Sequence, residues 1–255
     1  MKLTGCLLTI CLIYSASSLA DALRVVSEPW PPYVFEDRSG PAGVDLEVAG
    51  HVLRALGHEV TWDLLPWKRA LRTVEFGDAQ AILDIVPTAQ RIEALYFPDE
   101  HLSTNDTVLF YHRDRPHPFD SLADLSGLTI GVAPGYTYSS AEFTEATHFI
   151  REPAPSFEAN LLKLIRGRLD MVAMDRRVGL YLAQQLGIAD QLAHHSTALS
   201  SGKLYLAFHR SDSLEKLAQS FGPALRAFKQ TAEYAAILQR YGEAVDAGAQ
   251  GTVLP

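Results

Sequence analysis

Apolar positions along the chain follow two alternating rhythms. Residues 23–26 (LRVV), 59–65 (EVTWDLL) and 79–85 (AQAILDI) are apolar runs of strand length. Between them, residues 44–57 set Leu46, Ala49, Val52, Leu53 and Leu56 at helical spacing and stop at Gly57. Residues 67–77 (WKRALRTVEFG) read as a second helix closed by Gly77. Strand, helix and strand in this order predict βαβ units, which means a largely parallel sheet covered by helices.

The rhythm then recurs. Residues 128–133 (LTIGVA) open a second series, 161–167 (LLKLIRG) form a helix ended by Gly167, and 169–175 (LDMVAMD) form the next strand. The halves align as helix, glycine, strand, carboxylate, ending at Asp84 and at Asp175. The carboxyl ends of strands are where open α/β sheets build ligand sites. Two such ends predict two lobes facing a cleft. Residues 203–210 (KLYLAFHR) add a strand, and two helices follow. The first has Asp212 and Glu215 at capping-box spacing and a stripe of Leu214, Leu217, Phe221, Leu225 and Phe228. The second covers 232–241, and residues 242–255 read as a loose tail.

One stretch breaks the rhythm. Glu28–Phe35 (EPWPPYVF) sets Trp30, Tyr33 and Phe35 among three prolines, which exclude a helix and stiffen the backbone. It is either core filling or a pre-formed aromatic wall. Trp67 has the same two readings, at a helix start or in a pocket.

Composition narrows the class. Lys2, the apolar run Cys6–Tyr14 and the small residues near Ala20 predict a leader over residues 1–20, cut after Ala20 or Ala22. The run is too short to span a membrane, so a soluble exported product is expected. Both cysteines lie in the leader, so the mature chain lacks disulfides and cysteine metal sites. Hydrophobic content of 47% marks a globular chain. Loss of Lys2 takes the formal charge from -8 to -9, which argues against nucleic acid as a partner.

No hydrolase, zincin, Walker or dinucleotide motif occurs, so no catalytic residue is assigned and the chain is read as a binder rather than an enzyme. His194 and His195 are adjacent and point apart on a regular element, so neither metal nor cofactor is expected. In residues 84–91 (DIVPTAQR), Thr88 is placed to cap a helix and Arg91 lies one turn in, able to fork a carboxylate or to make a surface ion pair. Residues 131–140 (GVAPGYTYSS) bring Tyr136 and Thr137 to the opposite side. Asp84, Asp175 and Glu28 are acceptors for an ammonium group, and Asp175 can equally cap a helix. A carboxylate clamp beside anionic acceptors suits a free amino acid.

Taken together, LRVVSEPWPPYVF, GVDLEVAGHVLRALGHEV, GDAQAILDIVPTAQR, LSGLTIGVAPGYTY, LIRGRLDMVAMD and ALRAFKQTAEYAAILQRYG resemble the bacterial periplasmic solute-binding proteins of the polar amino acid type, extracellular family 3. These are soluble receptors of ABC importers. The resemblance spans the chain after the leader and implies the α/β type II periplasmic-binding-protein fold. Each of two lobes is then a mainly parallel sheet flanked by helices, with two hinge crossings. Lobe 1 would hold residues 21–111 and 204–255, and lobe 2 residues 112–203. The resemblance implies that Arg91 grips a carboxylate, that Thr137 assists from lobe 2, that Asp175 holds an amine, and that Trp30 or Trp67 lines the pocket. It further implies a monomer that meets an ABC permease at the inner membrane. The run LDIVP departs from the small or hydroxyl residues usual there, which leaves open an amino acid, a diamine-like cation or another small polar solute. A dehydratase on the same scaffold, with Glu28 or Asp84 as general acid, and a receptor for a membrane sensor are the rival functions.

Overall fold

The computed structural model describes residues 22–136, 138 and 140–241. The expected leader and the expected tail lie outside the described residues. The first half runs β1 (Leu23–Ser27), β2 (Phe35–Asp37), β3 (Gly40–Ala42), α1 (Val44–Ala55), β4 (Val60–Leu64), α2 (Trp67–Glu75), β5 (Ala81–Ile85), α3 (Ala89–Ala94) and β6 (Leu95–Tyr96). The second runs β7 (Ser103–His112), β8 (Thr129–Val132), α4 (Ala141–Glu145), β9 (Ile150–Pro153), α5 (Phe157–Ile165), β10 (Met171–Asp175), α6 (Arg176–Gln185) and β11 (Leu192–His194). β12 (Ser200–His209), α7 (Asp212–Phe228) and α8 (Ala232–Arg240) complete the described chain.

The strands lie in the order β4-β1-β5-β12-β7-β10-β8-β9, with β6 beside β12 and β11 beside β7. β1 is parallel to β4 and β5, and β8 is parallel to β9 and β10. Helices flank both parallel groups, because every residue of β5 and of β10 is buried and needs a cover on each face. β12 joins the groups. Its first residues, Ser200–Leu204, pair with Thr107–Ser103 of β7, and Tyr205–Phe208 turn to β5 with a register irregularity.

The helix–glycine–strand repeat is real in space. Gly77 and Gly167 follow α2 and α5 with φ of 81° and 70°, a left-handed turn that only glycine adopts freely. The stripe on α7 is buried at Leu214, Leu217, Phe221, Leu225 and Phe228, as its spacing predicts. One detail differs. The N-cap of α7 is Ser211, in extended conformation, and Asp212 is already helical, so no Asp212–Glu215 capping box forms. The Ser211 carbonyl, not a side chain, takes the amide of Glu215 at 2.9 Å. Among the described residues no helix is long and apolar enough to cross a membrane.

Candidate functional site

A cleft of about 610 Å³, counting its open part, lies where the carboxyl ends of β1, β5 and β10 meet the loop after β8. Each strand delivers its polar residue at the point where the apolar run stops. Glu28 follows β1, Asp84 lies one residue before the end of β5, ahead of the buried Ile85 and not at the strand end the sequence suggests, and Asp175 closes β10. All three line the cleft, together with Arg91, Trp30, Trp67 and Tyr136. Tyr33 does not line it. It is fully buried, stacks on Trp30 with ring centroids 4.7 Å apart, and stands behind that ring. Thr137 lies outside the described residues. The proline-rich stretch is therefore wall and core at once: Trp30 faces the cleft, while Tyr33 and Val34 are fully buried.

Arg91 is held without a carboxylate. Its guanidinium donates to the Val86 carbonyl at 2.8 Å and lies 5.5 Å from the centroid of the Trp67 ring. Thr88 caps α3 by accepting from the Arg91 amide at 3.2 Å. Arg91 is buried, and burial lowers its pKa from the usual guanidinium range. No ion pair of Arg91 with a carboxylate occurs among the described residues, and Arg91 lines the cleft.

The carboxylates differ from one another. Asp175 is the N-cap of α6, and one oxygen accepts from the amides of Arg177 at 2.9 Å and Val178 at 3.0 Å. The other accepts from the Tyr33 hydroxyl at 3.3 Å. Burial raises its pKa to about 6 against these lowering bonds. Glu28 accepts from the Tyr136 hydroxyl, and burial lifts it to about 7. Asp84 lies in the left-handed region at φ 61°, and among the described residues its carboxyl meets no donor group, only the carboxyl of Asp45. Burial raises its pKa well above the carboxylate range, and the charges of Asp45, Asp175 and Glu28 push the same way.

Several residues escaped the sequence reading. Asn105 and Thr107 reach the cleft from β7, and the Asn105 side-chain oxygen is buried with no partner. Asp45, in the first turn of α1, is buried beside Asp84 and accepts from Ser103. An acidic residue in a helix's first turn is common, and only the fold shows that this one faces inward.

The profile of the bacterial extracellular solute-binding proteins, family 3, matches residues 23–244. No curated protein matches the chain. The fold is that of two-lobed periplasmic binding proteins. A histidine kinase sensor domain with similarity to periplasmic binding proteins superposes with a TM-score of 0.76 at 21% identity, covering 87% of this chain and 96% of that one. An ABC uptake transporter substrate binding protein from Streptococcus pneumoniae with bound histidine gives 0.74 at 18% identity, with 86% and 92% covered. The ancestral amino acid-binding protein AncCDT-1, a precursor of cyclohexadienyl dehydratase, gives 0.73 at 19% identity, with 86% and 95% covered.

Proposed function

The chain belongs to the bacterial extracellular solute-binding proteins, family 3, and from that premise we propose that it is a periplasmic receptor that captures an amino acid or similar small polar solute between two lobes and delivers it to an ABC importer. The observation that carries this reading is Arg91, buried in the cleft with no carboxylate partner and facing acidic groups from other strands. A zwitterion complements that arrangement: its carboxylate meets the Arg91 fork and its amine meets Asp175, with Trp30 and Trp67 against its side chain. The bounds expected from the sequence, residues 21–111 with 204–255 and residues 112–203, put the first crossing after Tyr111. The pairing of Thr107–Tyr111 with β10 supports a first crossing nearer Ser103. The contacts of Asp175 with Tyr33 and of Tyr136 with Glu28 would then join the lobes over the ligand.

A thermal-shift screen against amino acids, polyamines and small acids tests this, because a ligand that binds only the folded state raises its midpoint by mass action. A folded protein that none of them stabilises removes the receptor reading. Neighbouring genes encoding a permease and an ATPase support import, and a kinase gene instead supports sensing. Glu28, near 7 and bonded to Tyr136, favours a second reading as a general acid. Incubation with prephenate or arogenate tests that, and unchanged substrate dismisses it.

A further inference from the structure

The electrostatics of the cleft are lopsided, and Asp84 is where the imbalance sits. Left-handed backbone is uncommon outside glycine, although aspartate tolerates it better than most residues. At φ 61° the chain turns at the end of β5 and brings the Asp84 carboxyl to the cleft wall. That residue is only 7% exposed, no donor group meets either carboxyl oxygen among the described residues, and the side chain it does meet is another buried acid, Asp45. Buried polar groups are normally satisfied, and the exceptions call for an explanation.

The unpartnered atoms around it point one way. Among the described residues lining the cleft, the buried atoms without a partner are both Asp84 oxygens, the Asn105 oxygen and the Trp30 indole nitrogen. These are three oxygens and one N–H, so the unsatisfied atoms of the lining are mostly oxygens. Charge agrees. Asp45 from α1, Asp175 from β10 and Glu28 after β1 all act on Asp84. Arg91 is the one lysine or arginine lining the cleft among the described residues, while Arg177 and Lys229 act on Asp45. A ligand with one amine and one carboxylate leaves this acid excess as it was.

We propose that Asp84 is the specificity-determining residue of the cleft, selecting a solute that carries a second cationic group, ammonium or guanidinium, besides its amine and carboxylate. The inference rests on the receptor reading above. The second cation supplies donors to Asp84 and Asn105, in a cleft that Trp30 and Trp67 also line.

Calorimetry with L-arginine, L-lysine and L-citrulline, the neutral counterpart of arginine, reads this choice. The unmodified protein should bind arginine or lysine at least about 30-fold more tightly than citrulline, because the added cation offsets the acids that otherwise keep Asp84 protonated and turns it into a charged partner. Asp84→Asn should abolish most of that preference. Asp84→Gly should do the same, and because glycine suits the left-handed backbone it keeps the fold, which circular dichroism checks. Citrulline bound as tightly as the cationic amino acids, or a preference that survives both substitutions, overturns the proposal and leaves the receptor intact. Binding of glutamate in place of all three overturns it in the same way. A folded protein that binds no amino acid at all removes the receptor reading with it.

Discussion

Asp84 and Asp175 occupy similar places, at the carboxyl end of a buried strand that comes after a helix and a left-handed glycine, Asp175 as the last residue of its strand and Asp84 as the last but one. Their surroundings are opposite. Asp175 spends its oxygens on two helix amides and the Tyr33 hydroxyl, so it ties α6 and the proline-rich loop to β10. Asp84 accepts no hydrogen bond and sits among other acids. The sequence repeat reproduces a position, and the segment beyond the strand decides its use. After Asp175 a helix starts at once and its free amides claim the carboxylate. After Asp84 the chain continues through Ile85 and Val86 before α3 starts, and no helix amide reaches back.

The sharpest way to test the difference is to remove the charge beside the free acid. Arg91→Ala should cost about 2–5 kcal/mol of ligand binding, and Arg91→Lys should also bind poorly because an ammonium lacks the planar fork. Unchanged affinity by calorimetry in both variants would take Arg91 out of the site. The next effect should appear on the tied side, in stability. Asp175→Ala removes a cap and a cross-lobe bond and should cost about 1–3 kcal/mol in urea unfolding. Asp84→Asn removes a buried unpaired acid and should leave stability within about 1 kcal/mol, or raise it. Equal losses in the two would erase the contrast.

Titration is a smaller lever on the same contrast. Glu28 moves from 4.5 to about 7 and Asp175 from 3.8 to about 6 on folding. Between those values the folded state holds more protons than the unfolded one. The stability this confers is complete below the unfolded pKa values and is lost as pH rises through the folded ones. The unliganded protein should therefore lose on the order of 1–2 kcal/mol between about pH 6 and pH 7. Glu28→Gln should flatten the upper part of that slope. Stability that rises over the window would contradict the burial of these groups.

The smallest signal is optical. Trp30 and Trp67 line the cleft, whereas Trp62 packs over α1, 3.4 Å from where a Cβ on Gly50 would lie. Ligand-induced fluorescence change should shrink in Trp30→Phe and in Trp67→Phe and survive in Trp62→Phe. A signal that tracks Trp62 alone would make the proline-rich rings mere filling.

The sequence made some of this legible because of what local pattern encodes. β5, β10 and α7 carry continuous or periodic apolar residues, so burial and element type coincide. β7 was opaque: its first residues, Ser103 to Asp106, are polar because they cross between sheets, and with them Asn105 went unnoticed. Strand-end logic brought Glu28, Asp84, Asp175 and Arg91 to the cleft. It could not separate Asp84 from Asp175, because the difference lies in a backbone angle and in Asp45, 39 positions away in sequence but adjacent in space.

The pairing of β7 with β12 has an engineering consequence. Ser103 and Leu204 face each other across one ladder step, about 5 Å, so the chain leaves and re-enters the first sheet through neighbouring doors. On the proposed division into lobes, the hundred residues between them would form a module inserted at a single seam. A bridge of two or three residues would span that seam, leaving β5 beside β12 as before. The same seam would let a different second module be spliced onto the Asp84 half, exchanging one wall of the cleft and keeping the other.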